Sequence, residues 1–522
     1  MNQQELLSVL ESVSVGADVA EHETELPRVF ISDIEVYRRL LDDKCDLITG
    51  GKGTGKSAIY RMITETRIAD DLAVVAATNP TGSPEFRALF NGNDSEQRLR
   101  SIWLVYFASL VANKVVDLYA DAPKTQKEVS ELREIIELMG LRRTQHKPSL
   151  LDRIRYAKSV ETGLKGGAAG FDLGVSLKFE LPEEKGPSNS EAAIVLNYPD
   201  FYALLQRCAD VLNVHGYRVW VAIDRLDECF VRNTETERRA LRALLRAALD
   251  CAQALKYSAT IRIKIFLRSD LFTIISEDGA FTNATHLRRS DISWTFTSMA
   301  DLIDHRLLSS DQFRQHCLNT ASGSTSINSS WDALMPDLSF KRPTRRGEKS
   351  FTTAQTLCLW TADGSGLYNP RNLIALVNLA LQRACESQRR ALSLERANRS
   401  SRPLVSLAEV QAAQGELGRK RYQDTVINEF PSVAPLAERL VGAQREFVSK
   451  AALLNRLGFH DHKSDEAKDA LSVLTLSGLL GARPREGRYY IPRLYRPVLL
   501  TVRSERAETG DPKTEKVWDE NN

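Results

Sequence analysis

No two of the seven cysteines form a CxxC pair: Cys45, Cys208, Cys229, Cys251, Cys317, Cys358 and Cys385 are scattered and odd in number. This excludes a disulfide framework and a zinc site built on paired thiolates, and it points to a reducing compartment. Net charge is almost absent as well. The 70 Lys and Arg against 68 Asp and Glu leave +2, which excludes a uniformly polybasic protein but leaves room for a local basic surface. The opening MNQQELLSVLES lacks a basic segment followed by an apolar core, so no secretory leader is read there. Long apolar runs are missing too. The most apolar stretch, Trp103 to Ala112, would span roughly 15 Å as a helix, about half a bilayer core. The expectation is a soluble, cytoplasmic protein without a membrane partner. What is present is ordinary for a globular chain, with 43% apolar and 26% charged residues. A length of 522 residues suggests about three or four domain-sized units.

One segment departs from the ordinary. Residues 44–63 read KCDLITGGKGTGKSAIYRMI. Within them Gly50, Gly51, Lys52, Gly53, Thr54, Gly55, Lys56 and Ser57 fit GxxxxGK[ST]. Asp46–Thr49 is a short strand candidate before the glycines, and Ala58–Ile63 continues as a helix. Each residue type has a reason. Glycines let the backbone curl so that successive N–H groups surround phosphate oxygens. The helix that starts at the loop turns its positive dipole end toward them. Lys56 can reach the β- and γ-phosphates of ATP, and Ser57 offers a hydroxyl to Mg²⁺.

Such a loop calls for an acidic strand end nearby. Tyr217–Ile223 (YRVWVAI) is an apolar, β-rich run that ends in Asp224-Arg225-Leu226-Asp227-Glu228. Ligands bind at the carboxyl ends of parallel strands, so Asp224 is the candidate for holding Mg²⁺ through its water shell. Glu228, or Asp227, could polarise the attacking water; both could instead cap the next helix. A helical pattern over Glu235–Leu255 leads to the strand candidate Ile261–Leu267, which ends in Arg268. That arginine could sense the γ-phosphate or could simply make an ion pair.

The set Gly50–Ser57, DRLDE at Asp224–Glu228 and FLRSD at Phe266–Asp270 resembles the STAND-class P-loop ATPases, a branch close to AAA+ proteins. The resemblance implies Arg268 as a first sensor. Leu367–Ile374 (LYNPRNLI) resembles the helix start of an AAA+ lid, which implies Arg371 as a second sensor. The C-terminal third resembles the winged helix that follows the lid in origin-recognition-type initiators and in many STAND proteins. The loop and acidic strand also resemble those of bacterial P-loop ATPases, some relatives of which act in defence against phage. The fold expected is α/β: a P-loop NTPase core with a parallel sheet, an inserted α+β segment, a helical lid and a C-terminal winged-helix-like domain. The expected boundaries are 1–90 and 198–310 for the core, 91–197 for the insertion, 311–350 for a linker, 351–425 for the lid, 426–502 for the winged-helix-like domain and 503–522 for a tail.

The insertion shows helical patterns at Glu96–Leu118, Lys127–Leu138 and Leu150–Thr162. It also holds a period-2 run from Phe171 to Leu181, an amphipathic strand. Trp294–Leu307 reads as a strand end and helix, and Ser309–Thr352 reads as a long flexible connection. Helical lid patterns cover Tyr368–Arg383 and Ala384–Ala397. A basic set (Arg389, Arg390, Arg396, Arg399, Arg402, Arg419, Lys420, Arg421) is the best nucleic-acid candidate. Interspersed glutamates equally allow a salt-bridged helical face. Three helices at Pro435–Ala443, Phe447–Leu457 and Asp465–Leu476 precede a hairpin at 479–492. The third carries three acids at its start and one Lys, a poor surface for phosphates. The reading is therefore a Mg-ATP-dependent switch or assembly protein that partners a protein or itself. The alternative is a DNA-binding initiator or loader.

Overall fold

The first half of the chain alternates short apolar runs with helical patterns, and such runs bury most completely inside a parallel sheet. The structure is a computed structural model. It describes residues 3–78, 95–138, 159–162, 175–179, 194–226, 234–255, 260–277, 287–321, 330–344, 347–393, 403–483 and 485–500. The strands of this half are β1 (Leu47–Gly50), β2 (Leu72–Thr78), β3 (Ser159–Thr162), β4 (Val175–Phe179), β5 (Ile194–Asn197), β6 (Arg218–Asp224), β7 (Ile261–Arg268) and β8 (Arg289–Asp291). Five of them form one parallel sheet in the order β2-β6-β7-β1-β8. The fold is α/β with a P-loop NTPase core.

Two compact units are present. The first comprises Ser32–Gly51 and Gly55–Ile292 and contains this sheet. Its core is built around the helix Glu96–Tyr119, in which every residue from Ser101 to Asn113 is buried. A helix that is apolar on all sides must be surrounded. Here Gln126–Leu138, Tyr198–Val214 and Glu235–Ala254 surround it. The helix is long and apolar enough to cross a bilayer, yet it is mostly buried in this core. Burying an aromatic such as Trp103 or Phe107 contributes roughly 2–3 kcal/mol. Two of its buried polar side chains are paired within the core. Trp103 Nε1 donates to Ala240 O at 3.0 Å and Asn113 Nδ2 to Ser109 O at 2.8 Å. Strands β3, β4 and β5 form a separate antiparallel sheet. Val175–Phe179 of the period-2 run is thus a strand, while the rest of the run lies outside the described residues. The helical pattern over Leu150–Thr162 is corrected at its end, where Ser159–Thr162 is a strand because pairing with β4 overrides local propensity; residues 150–158 lie outside the described residues.

The second unit comprises Met1–Ile31, Lys52–Thr54 and Ser293–Asn522. The connection expected over Ser309–Thr352 differs from the structure. It contains helices Asp311–Ala321 and Ser330–Leu334, and a hairpin of β9 (Phe340–Thr344) and β10 (Gly347–Phe351). Trp331, Leu334 and Leu338 are buried there, so a polar composition concealed a few core anchors. The two lid patterns merge into one helix, Pro370–Ser393, against which Gln3–Ser12 and Leu407–Arg421 pack. The latter runs on into a π-helical turn, Tyr422–Ile427. Beyond it the order is helix Ala434–Leu440, strand β11 (Glu446–Phe447), helices Lys450–Arg456 and Asp465–Leu476, then β12 (Gly481–Arg483) and β13 (Arg488–Tyr490). The last three strands form a sheet in the order β11-β13-β12.

Candidate nucleotide site

Gly50 ends β1, which is buried throughout. Its register partner on β7 is Arg268. On the other side of β7, Ile223 of β6 pairs with Ile265, and Asp224 follows as the last residue of β6. The carboxyl edge of one sheet therefore brings together Gly50, Arg268 and Asp224. Asp224 is 4% exposed. Arg225 after it takes φ 60°, a left-handed conformation that costs a non-glycine residue about 1–2 kcal/mol. This turn redirects the chain directly after the carboxylate. Asp227 and Glu228 lie outside the described residues.

The loop 51–55 leads into helix Lys56–Glu65, with Ser57 in its first turn. Gly53 and Gly55 have φ of 80° and 100°, where an L side chain is strained. They differ otherwise. A Cβ on Gly55 would meet open space, whereas one on Gly53 would lie 2.5 Å from Asn369 Oδ1 and 2.9 Å from Arg371 Cβ.

Every carbonyl from Gly50 to Thr54 accepts a hydrogen bond. Lys56 Nζ donates to Gly50 O at 2.9 Å and Gly51 O at 2.8 Å. Asn369 Nδ2 donates to Lys52 O at 2.8 Å. The Arg371 amide approaches Gly53 O at 3.4 Å, and Trp294 Nε1 donates to Thr54 O at 2.9 Å. Lys52 Nζ also pairs with Glu429. In a trans peptide the C=O and the following N–H point opposite ways. Holding the carbonyls of 50–54 therefore sets the directions of the amides of 51–55, the groups a phosphate-binding loop uses.

Arg268 makes a two-pronged pair with Asp270, Nε to Oδ1 at 3.1 Å and Nη2 to Oδ2 at 2.7 Å. Burial pushes the Asp270 carboxyl up, but the Arg268 guanidinium outweighs it and holds the group below its ordinary value. Arg371 is the second residue of helix Pro370–Ser393, and its amide is 3.0 Å from Asn369 Oδ1. Arg288 pairs with Asp46 and Asp43 at the amino end of the sheet, while Arg289 pairs with Asp291 and donates to Thr49 Oγ1.

Three contacts escaped sequence reasoning: Trp294, Asn369 and Glu429. They act on backbone carbonyls or on Lys52, so no motif marks them. The available signals were an Asn directly before the Pro-Arg helix start, a good N-cap residue, and an isolated Trp just after β8.

The donors available to a metal are the Ser57 hydroxyl and the buried Asp224 carboxylate, hard oxygens of the kind Mg²⁺ takes together with waters and phosphates. Elsewhere the basic set is partly paired: Arg389 with Glu11 and Arg421 with Asp18, both at 2.7–2.8 Å. Arg396, Arg399 and Arg402 lie outside the described residues.

No protein-family model matches the chain, and no curated protein matches it. Similar solved structures include the following three. The Aeropyrum pernix ORC1 protein in complex with DNA is 11% identical, with TM-score 0.34 over 92% of this chain and 95% of that one. The Aeropyrum pernix ORC2 protein in ADPNP–ADP complexes is 13% identical, with TM-score 0.35 over 88% and 87%. Drosophila ORC bound to DNA is 10% identical, with TM-score 0.26 over 94% and 91%. At these identities and TM-scores the P-loop description rests on sheet order and loop geometry alone.

Proposed function

We propose that this protein binds Mg-ATP and hydrolyses it slowly, as a nucleotide-dependent switch or assembly protein. The observation that carries this reading is the P-loop at the end of β1, with its carbonyls held, beside the buried Asp224 at the same sheet edge. The amides of 51–55 and the start of helix Lys56–Glu65 receive the phosphate oxygens. Lys56 exchanges its loop carbonyls for the β- and γ-phosphates. Ser57 and Asp224 hold the metal; when bound, Mg²⁺ neutralises charge that develops on the transferring phosphoryl group. Glu228, or Asp227, orients the attacking water. Arg268 and Arg371 report the phosphate state, Arg268 by leaving Asp270. Positioning and charge neutralisation supply most of the acceleration.

Within this reading the closer assignments are a STAND-type ATPase and, by analogy with its sequence resemblances, a part in bacterial defence against phage. Lys56→Ala should abolish ATP binding in calorimetry, and normal binding by that variant would overturn the proposal. Glu228→Gln should bind ATP and fail to turn it over.

The second reading is a winged-helix DNA binder with ATP as a regulatory ligand. The helix, strand, helix, helix, hairpin order of residues 434–490 favours it. Against it stand the acids that open Asp465–Leu476 and the pairing of Arg389 and Arg421. Affinity for duplex DNA that falls steeply with added salt would support it. No duplex binding at low salt would exclude it.

A further inference from the structure

Asn369 holds two unrelated parts of the chain with one amide. Its Oδ1 accepts the Arg371 amide at 3.0 Å, and its backbone carbonyl accepts the Asn372 and Leu373 amides, so it is the N-cap of helix Pro370–Ser393. Its Nδ2 points the other way and donates to Lys52 O. Trp294 Nε1 does the same for Thr54 O, and the Arg371 amide does so for Gly53 O. All of these residues belong to the second unit, as do Lys52–Thr54.

We infer that Asn369, with Trp294 in support, is a positioning residue for the phosphate-binding amides of Gly53, Thr54 and Gly55. The inference rests on the nucleotide reading above and adds residues to that site. A glycine loop is conformationally free, and peptide planes that rotate singly would turn N–H groups away from an anion. Donors fixed to three successive carbonyls prevent this rotation, because each carbonyl is rigidly opposed to the next amide. Asn is suited to the task because its amide is acceptor and donor at once. The acceptor caps the helix while the donor orients the loop. The crowding of Gly53 against Asn369 and Arg371 is the steric side of the same arrangement. The Arg371 contribution is a backbone one and survives loss of its side chain.

The two roles of Asn369 can be separated. Ser and Asp both keep an N-cap acceptor but lose the Nδ2 donor, since the single, shorter Ser hydroxyl cannot reproduce the two-sided Asn amide, and Asp also sets a carboxylate against the Lys52 carbonyl. The experiment titrates full-length protein with Mg-ADP and with pyrophosphate by calorimetry, and measures Tm without nucleotide. Loss of one neutral hydrogen bond predicts binding weaker by about three- to tenfold for Asn369→Ser and Trp294→Phe. Asn369→Asp should lose more, for pyrophosphate as well as ADP, because the defect lies in phosphate orientation. Tm should stay at the wild-type value in Asn369→Ser and Asn369→Asp and fall in Asn369→Ala, which lacks the cap. Wild-type affinity for both ligands in the Ser and Asp variants would overturn the inference. So would a loss of affinity that only tracks a lowered Tm. If wild-type protein binds ADP and Lys56→Ala does not, the nucleotide reading stands whatever Asn369 does. If wild-type protein binds neither ligand, that reading and this inference fall together.

Discussion

Strands β1 and β7 lie side by side, and their two ends treat charge in opposite ways. At the amino end Lys264 is fully buried and donates to the Asp43 and Asp46 carboxylates and to Cys45 O. Arg262 and Arg288 join the same two acids, and the Trp220 ring lies 4.4 Å from the Lys264 ammonium. Every charge there has a charged partner. At the carboxyl end Arg268 and Lys52 have carboxylate partners too, but one cation of the loop, Lys56, donates to neutral carbonyls. A paired buried charge is costly to disturb, while an ammonium on carbonyls can be exchanged for a stronger anion. One end of the sheet is locked by its ions, while at the other Lys56 donates to two carbonyls of its own loop.

Changing the two lysines should break this comparison most sharply. Lys264→Met would leave Asp43 and Asp46 without their buried cation and should cost about 3–5 kcal/mol, a large share of a typical folding stability. Its ADP affinity, measured on the folded fraction, should not change. Lys56→Ala should do the reverse, losing binding at a nearly constant Tm. A matched loss of stability in both variants would mean that the two ends do not differ.

Acid titration tests the locked end alone. Burial raises the Asp43 carboxyl, but Lys264, Arg262 and Arg288 prevail and hold it below its ordinary value. A depressed folded-state value contributes stability that is present above the unfolded value, roughly 3.9, and lost as pH falls through the folded one. Denaturation should therefore steepen below about pH 4 in wild-type protein. Asp43→Asn should flatten that limb, and Asn tolerates the φ of 52° found at this position. An identical acid limb in the variant would assign acid sensitivity to other groups.

The glycines sharpen the open end. Gly53→Ala meets both a left-handed backbone and Asn369, while Gly55→Ala meets the backbone penalty alone. Both should lower Tm and ADP affinity. Gly55→Ala should cost about 1–2 kcal/mol, and Gly53→Ala clearly more. Equal effects would show that the Asn369 contact does not constrain the loop. The smallest change is expected at Glu65, whose two-pronged pair with Arg61 is half-exposed on the loop's own helix. Glu65→Gln should cost about 0.3–0.5 kcal/mol. That would show that the ion pairs count at the locked end because they are buried.

The parallel strands and the P-loop were legible because their signals are local. Glycine spacing, an apolar run ending in an acid, and an apolar run ending in Arg268 each declare themselves within about ten residues. What was not legible depends on distant pairing. Ser159–Thr162 looked helical until β4 supplied its partner. Phe340–Phe351 looked like a polar connection because hairpin pairing leaves little mark in a sequence rich in Lys and Arg. Cys45, Cys208 and Cys358 gave only a negative signal in sequence. Burial pushes their thiols up to about 11, 12 and 12, as befits inert packing groups. At the candidate site the residues of the glycine-rich loop were readable by type. Asn369 and Trp294 were not, because they recognise backbone carbonyls, which are the same at every position.

Along the sequence the sheet unit is threaded between parts of the second unit. Gln3 O accepts from Gln388 Nε2 across 385 residues, and Gly16 O accepts from Asn378 Nδ2 across 362. Arg306 reaches Val15 O and Glu23 in the same region. On the ribosome the opening segment therefore emerges roughly 20–80 s before helix Pro370–Ser393 is made, at ordinary elongation rates. For most of that interval the first helix also lacks helix Asp311–Ala321, against which it packs too. The sheet unit can fold in the meantime, since all its strands precede residue 293. Segment Gln3–Ser12 is thus buried late, against helices made long after it.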